Sequence, residues 1–228
     1  MNIIGMMAMY DEPEIHIKRS VRGLARLGVS KLVVADGAYA LLPDGSPTSP
    51  PEQICVLREQ CVARRIALHL HQPTEVWAGN EVEKRQKMLD LAYDVSYDGD
   101  WLAIWDCDYR LVSPPPVAEI AESLRSTSCD VATIAFTEDP TAVHGLDFYP
   151  MGMLLRAQRG IRMGGNHHTY LFPDGRQTQV LRRPVLHGAE ALHLPDVRVL
   201  HAVHARDPER RARQAAYYCE RDALGVES

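Results

Sequence analysis

The chain has few lysines, no paired cysteine motif and no long apolar run, and each shortage excludes something. Its 228 residues include only four lysines, so the positive charge is carried by 21 arginines. The five cysteines, Cys55, Cys61, Cys107, Cys129 and Cys219, are odd in number and widely spaced, with no C-x-x-C. That spacing argues against a structural zinc site and for a reducing, cytoplasmic setting. No stretch approaches the roughly 20 apolar residues that span a bilayer. The apolar start, Met1 to Tyr10, has no basic lead-in and runs into Asp11-Glu12-Pro13-Glu14, so it reads as a strand and not a signal peptide. G-x-x-x-x-G-K-[ST], G-x-G-x-x-G and H-E-x-x-H are all missing, which leaves kinase, P-loop, dinucleotide and zinc-protease readings without support. There is no internal repeat and no low-complexity tract.

What is present is the balance of a globular protein, 46% apolar and 24% charged. The length suits one α/β domain. Net charge is −5 but unevenly spread: residues 1–150 carry 13 basic and 22 acidic side chains, residues 151–228 carry 12 and 8. The arginines of the second part suit forked contacts with phosphate, or they reflect coding bias.

Short Val/Ile/Leu runs alternate with helical patterns, the signature of strands joined by crossover helices in a mostly parallel sheet. Strands are predicted at 3–9, 31–35, 66–70, 101–105, 130–136 and 197–203, and helices at 15–27, 52–64, 81–93, 117–124 and 207–224. The loop from Gly37 to Pro51, with four prolines, is either ordered over a ligand or disordered. Residues 137–183 show no regular pattern.

The apolar run Trp101–Trp105 stops at Asp106-Cys107-Asp108. Alternation along a strand would point both carboxylates to one side, about 7 Å apart. Ligands collect at the carboxyl ends of strands in open α/β sheets. Two like charges there call for something positive between them, and a hard divalent cation with oxygen ligands supplies it. The alternative is a pair of solvated loop acids.

A first strand ending in an acidic turn, a second ending in Ala35-Asp36-Gly37, a Lys/Arg-bearing helix and a buried strand running into D-x-D together resemble the nucleotide-binding half of GT-A glycosyltransferases. The similarity covers roughly residues 1–110 and, more loosely, the rest. It implies one GT-A-like domain: a nucleotide-sugar-binding half at 1–110, an acceptor-side half at 111–206 and a C-terminal helix at 207–224. It also implies Mn2+ or Mg2+ held by Asp106 and Asp108 against the donor diphosphate. Contacts to the nucleoside would fall to Met9, Tyr10, Asp11 and Glu12, and contact to the base to Asp36. Lys84 and Arg85 would be cations near the donor, or a solvated helix face.

A further metal ligand would be His204 or His201, of which His204 lies nearer the strand's end. Arg206 and Arg210, with Arg211 and Arg213, would clamp phosphates. Glu190 is the candidate for orienting or deprotonating the acceptor, with Glu138 and Asp139 as rival acids. His167 and His168 lie in a glycine-rich segment on the acceptor side or in a polar turn. The implied activity is glycosyl transfer from a nucleotide-sugar, a UDP-sugar slightly favoured. The acceptor hydroxyl belongs to a molecule the sequence does not name, with an anionic, phosphorylated metabolite and DNA with a hydroxylated base as the candidates. The alternatives are a nucleotidyltransferase, disfavoured by the acidic first loop, and a binding module without turnover.

Overall fold

A computed structural model describes residues 1–42, 45–78, 81–142, 148–164, 169–179, 191–202 and 208–223. Eight strands form one mixed sheet: β1 (Ile3–Ala8), β2 (Val29–Ala35), β3 (Ala67–His71), β4 (Trp101–Asp106), β5 (Tyr109–Ser113), β6 (Val131–Thr137), β7 (Tyr149–Arg156) and β11 (Ala191–His201). Their order is β3-β2-β1-β4-β7-β6-β11-β5. The β3-β2-β1-β4 side is parallel throughout. Beyond β4 the pairings with β7 are antiparallel, β6 and β11 are parallel, and β5 closes the edge antiparallel to β11. The parallel expectation therefore holds throughout β3-β2-β1-β4 and again for the β6–β11 pair, while β7 and β5 introduce the antiparallel pairings. A small antiparallel sheet of β8 (Arg162–Met163), β9 (Thr169–Leu171) and β10 (Gln177–Gln179) stands apart from it.

The helices are α1 (Glu14–Leu27), α2 (Pro51–Ala63), α3 (Glu81–Val95), α4 (Val117–Ser126) and α5 (Pro208–Ala223). Proline opens several of them, because its fixed φ suits a first turn. Pro13, Pro50 and Pro116 hold the N-cap positions of α1, α2 and α4. Gly28 ends α1 in the left-handed region at φ 93°, and its N–H returns to the carbonyls of Ala25 and Leu24. Helices α1 and α2 pack on each other, while α3 lies against β1, β2 and β8. No helix among the described residues is long and apolar enough to cross a membrane.

The central strands are buried on both faces, and this is why they read as continuous apolar runs. All of β6 is buried, as are β1 and β4 apart from their last residues. Their side chains join one apolar cluster with α1, α3 and β7, anchored by Trp101 and Trp105. Trp101 also donates its indole N–H to the Leu124 carbonyl at 3.2 Å, tying β4 to the end of α4.

Two strands of the large sheet differ from the sequence expectation. β7 lies inside the segment read as irregular, and β5 occupies a stretch right after the D-x-D for which no element is predicted. β11 is also longer than its predicted stretch, absorbing Pro195 at a register shift between Leu194 and Arg198.

Candidate functional site

The ends of β1, β2, β4 and β11 meet the expected residues, but with a different division of labour. β4 stops at Asp106, and Cys107-Asp108 forms the turn into β5. The two carboxylates consequently do not share one strand face. Asp106 keeps about a quarter of its side chain exposed and receives Arg85 at 3.1 Å and 3.3 Å on its two oxygens. Asp108 is buried, and its Oδ2 lies 3.2 Å from Nε2 of His201. Cys107 is buried beside them.

His201, the last residue of β11, sits between two acids. Its Nδ1 is 3.4 Å from Oε1 of Glu138, opposite the Asp108 contact. Edge-on packing against Tyr109 at 5.1 Å, with Phe136 at 5.9 Å, sets the plane of the ring. A neutral imidazole has one N–H, so it can donate to only one of the two carboxylates. Either the ring is charged and donates to both acids, or it is neutral and donates from Nε2 to Asp108 or from Nδ1 to Glu138, according to the tautomer.

The contact to Asp108 has the length of an ordinary hydrogen-bonded pair, and it is also compatible with two adjacent ligands of one cation. An O···N separation of 3.2 Å is close to the spacing of adjacent ligands on an octahedral ion with bonds of about 2.1 Å, which is about 3 Å. Among the described residues no group of three or more His, Cys, Asp or Glu side chains is placed to hold a metal ion. Magnesium-type sites commonly take only one or two protein ligands and complete the shell with water and substrate phosphate. A carboxylate on the far nitrogen of a ligating histidine is the usual orienting partner. His204 lies outside the described residues.

Arg85 and Lys84 are buried, so neither forms a solvated helix face. Burial works against the Arg85 charge, but Asp106, Tyr170 and Glu81 more than offset it and hold the guanidinium charged. Tyr109, pushed well above its usual value by burial and then by the Asp106 charge, stays protonated over the same range.

Asp36 is wholly buried and organises the loop that follows β2. Its Oδ1 accepts from the Gly37 N–H (2.8 Å) and the Ser49 hydroxyl (2.6 Å), and its Oδ2 from the Ser49 N–H (2.9 Å) and Gln72 (3.4 Å). The Trp77 indole adds a bond of 2.7 Å to the Asp36 carbonyl. The proline-bearing segment from Gly37 to Pro51 is thus ordered against Asp36 over its described residues. A direct contact from this carboxylate to a base would have to displace one of these partners.

In the first loop, Met9 is buried and its N–H reaches the Ala35 carbonyl at 3.1 Å. The Tyr10 hydroxyl accepts from the Ser46 N–H at 2.8 Å. Asp11, at φ 45°, accepts from Gln53 (3.1 Å) and from Arg213 of α5 (2.9 Å). Glu12 is buried, 3.5 Å from Nδ1 of His16. Helix α5 also lays Tyr217 on Tyr39, rings stacked at 5.5 Å. It therefore lies across the ends of β1 and β2 at the face where a nucleoside was expected.

Glu190, Arg206, His167 and His168 lie outside the described residues, as does the Arg210 side chain, although its backbone belongs to α5. Among the residues that shape the site, Ser49, Trp77 and Tyr109 carry no motif. Only Tyr109 had a local signal, its position directly after Asp108.

Lys84 makes a pH prediction possible. Burial lowers it from 10.5 to about 8, opposed mainly by Asp36 and Glu81. Between those values the unfolded chain binds the extra proton, so folding stability should rise as pH increases. Relative to Lys84→Met, the wild-type protein should gain about 2 kcal/mol between pH 8 and pH 10 in urea titrations. An unchanged difference would mean that the ammonium is not held away from water.

Compared with known proteins, the chain matches no family model and no curated sequence.

Proposed function

We propose that this protein is a metal-dependent glycosyltransferase with a GT-A-like domain. It moves a sugar from a nucleotide-sugar, a UDP-sugar slightly favoured, to an acceptor hydroxyl. The observation that carries the reading is the convergence of Asp108 and His201 at 3.2 Å, with Glu138 behind the imidazole, next to the Asp106–Arg85 pair. In open α/β sheets ligands gather where strands end and topology changes, and the parallel β1-β4 run gives way to antiparallel β7 here.

Asp108 and His201 would hold Mn2+ or Mg2+, which when bound neutralises charge on a departing diphosphate. Glu138 keeps the His201 proton on Nδ1, leaving Nε2 as the ligand atom. Arg85 compensates Asp106, so that this carboxylate can accept from a donor hydroxyl without being expelled by the buried Asp108. The loops at Met9–Glu12 and Asp36–Tyr39 form the nucleoside side. Glu190, Arg206 and Arg210 belong to the acceptor and phosphate side, where an anionic metabolite or a hydroxylated base in DNA would suit the arginine-rich second part.

A thermal-shift panel of UDP-, GDP-, TDP- and CDP-sugars, with and without manganese, tests the reading. A ligand at one hundred times its Kd stabilises by about 2.7 kcal/mol, a readily measured shift. One donor class should raise the melting temperature, and only with metal. A flat panel would rule the reading out. Binding without any hydrolysis or transfer would reduce the protein to a nucleotide-sugar-binding module.

A further inference from the structure

Lys84 is the most deeply buried cation of the described chain, with 1% of its surface exposed. It stands in the first turn of α3, yet its contacts lie on two loops far away in sequence. Nζ donates to the carbonyl of Met9 at 2.8 Å and to that of Gly37 at 2.7 Å. The ammonium also faces the Tyr39 ring, 5.1 Å from its centroid.

Met9 directly follows β1, and Gly37 lies just beyond β2. Gly37 adopts φ 101°, and a Cβ there would collide with the Pro47 carbonyl oxygen and the Pro73 ring. Its carbonyl is therefore held in one direction by a backbone that only glycine adopts readily. Three N–H groups and no lone pair make an ammonium the group that can satisfy two converging carbonyls and a ring face together. A buried carbonyl without a donor carries a substantial desolvation cost, so removing Lys84 would leave two such groups. Tyr39 in turn carries Tyr217 of α5, and Asp11, two residues past Met9, carries Arg213.

We propose that Lys84 is a positioning residue that sets the spacing of the β1 and β2 loops from beneath, without touching the donor itself. Its N–H groups are directed at Met9, Gly37 and Tyr39 rather than outward to a donor, near which the family resemblance places it. The donor-binding part of this inference rests on the glycosyltransferase reading; the loop-spacing part does not.

The test is amide hydrogen exchange on the intact protein, comparing wild type, Lys84→Met and Lys84→Gln. Amides of both loops are bonded now: Met9 to Ala35, Asp11 to the Ser49 hydroxyl, Gly37 to the Asp36 carboxylate and Ala38 to Ser46. In Lys84→Met they should exchange about tenfold faster while β6 is unchanged, the mark of local opening. Lys84→Gln, whose amide still donates, should fall between and serves as the readout should the methionine variant not fold. A second arm measures UDP binding with manganese and transfer at saturating donor. If the loops are competent only about a tenth of the time, apparent Kd should weaken about tenfold with the saturated rate changed less than about threefold. Equal loop exchange in all three proteins overturns the proposal. So does a fall in saturated rate at unaltered Kd, which would place the ammonium at the diphosphate. Wild-type protein that binds no UDP but shows the exchange contrast retires the glycosyltransferase reading and leaves the staple standing.

Discussion

Asp108→Asn should lower glycosyl transfer by at least about 100-fold, the size of effect seen when a principal electrostatic stabiliser is lost. The substitution keeps shape and removes one formal charge beside His201. Circular dichroism should show the fold retained, because the Asn amide N–H can donate to the Nε2 lone pair across the 3.2 Å contact. Manganese affinity, followed by electron paramagnetic resonance, should fall in parallel with activity. The charge on Asp106 cannot substitute, since Arg85 holds both its oxygens. Near-normal transfer in this variant, with metal still required, would sink the assignment of Asp108 as a ligand.

Asp36→Ala should cost the fold about 3 to 4 kcal/mol. The substitution strips acceptors from the Gly37 and Ser49 amides and the Ser49 hydroxyl, all in a buried setting. Leaving each donor unsatisfied costs about 1–3 kcal/mol, and relaxation of the loop recovers part of the sum. In a chain of this size the melting temperature should drop by about 10 °C. The family resemblance implies a different result, in which donor affinity falls and stability does not. A melting temperature within 2 °C of wild type together with weakened UDP binding would favour that base-contact role over the loop-organising one.

Particular residues show how far the sequence could be read. The runs Ile3–Met9 and Trp101–Trp105 were legible because strands covered on both faces have no polar alternation to hide them. α1 was legible from its amphipathic spacing and its Gly28 terminus. β7 was not, because Pro150 and Gly152 interrupt Tyr149–Arg156 and read as breakers; in the sheet both pair with β6, opposite Ala135 and Thr133. β5 was masked by the three prolines that follow it. Asp106 and Asp108 were legible as a pair, but alternation along a continuous strand misplaced them because a turn intervenes. Lys84 and Asp36 show the remaining limit. Whether a charged side chain faces solvent, a ligand or two distant carbonyls depends on loops that no local pattern locates.

The place of β5 in the sheet bears on how the site comes into being. This strand follows the Asp108 turn directly, yet among the described residues its only strand partner is β11, which emerges far later in synthesis. The Ala202 N–H closes the same junction with a bond of 3.1 Å to the Asp108 carbonyl. A nascent chain that has released β1 to β4 therefore possesses the aspartates but not the enclosure around them. If the proposed cation site is real, separately expressed fragments of residues 1–130 and 131–228 should each lack manganese binding and gain it only on reassociation, so that the cation becomes a reporter of completed chain assembly.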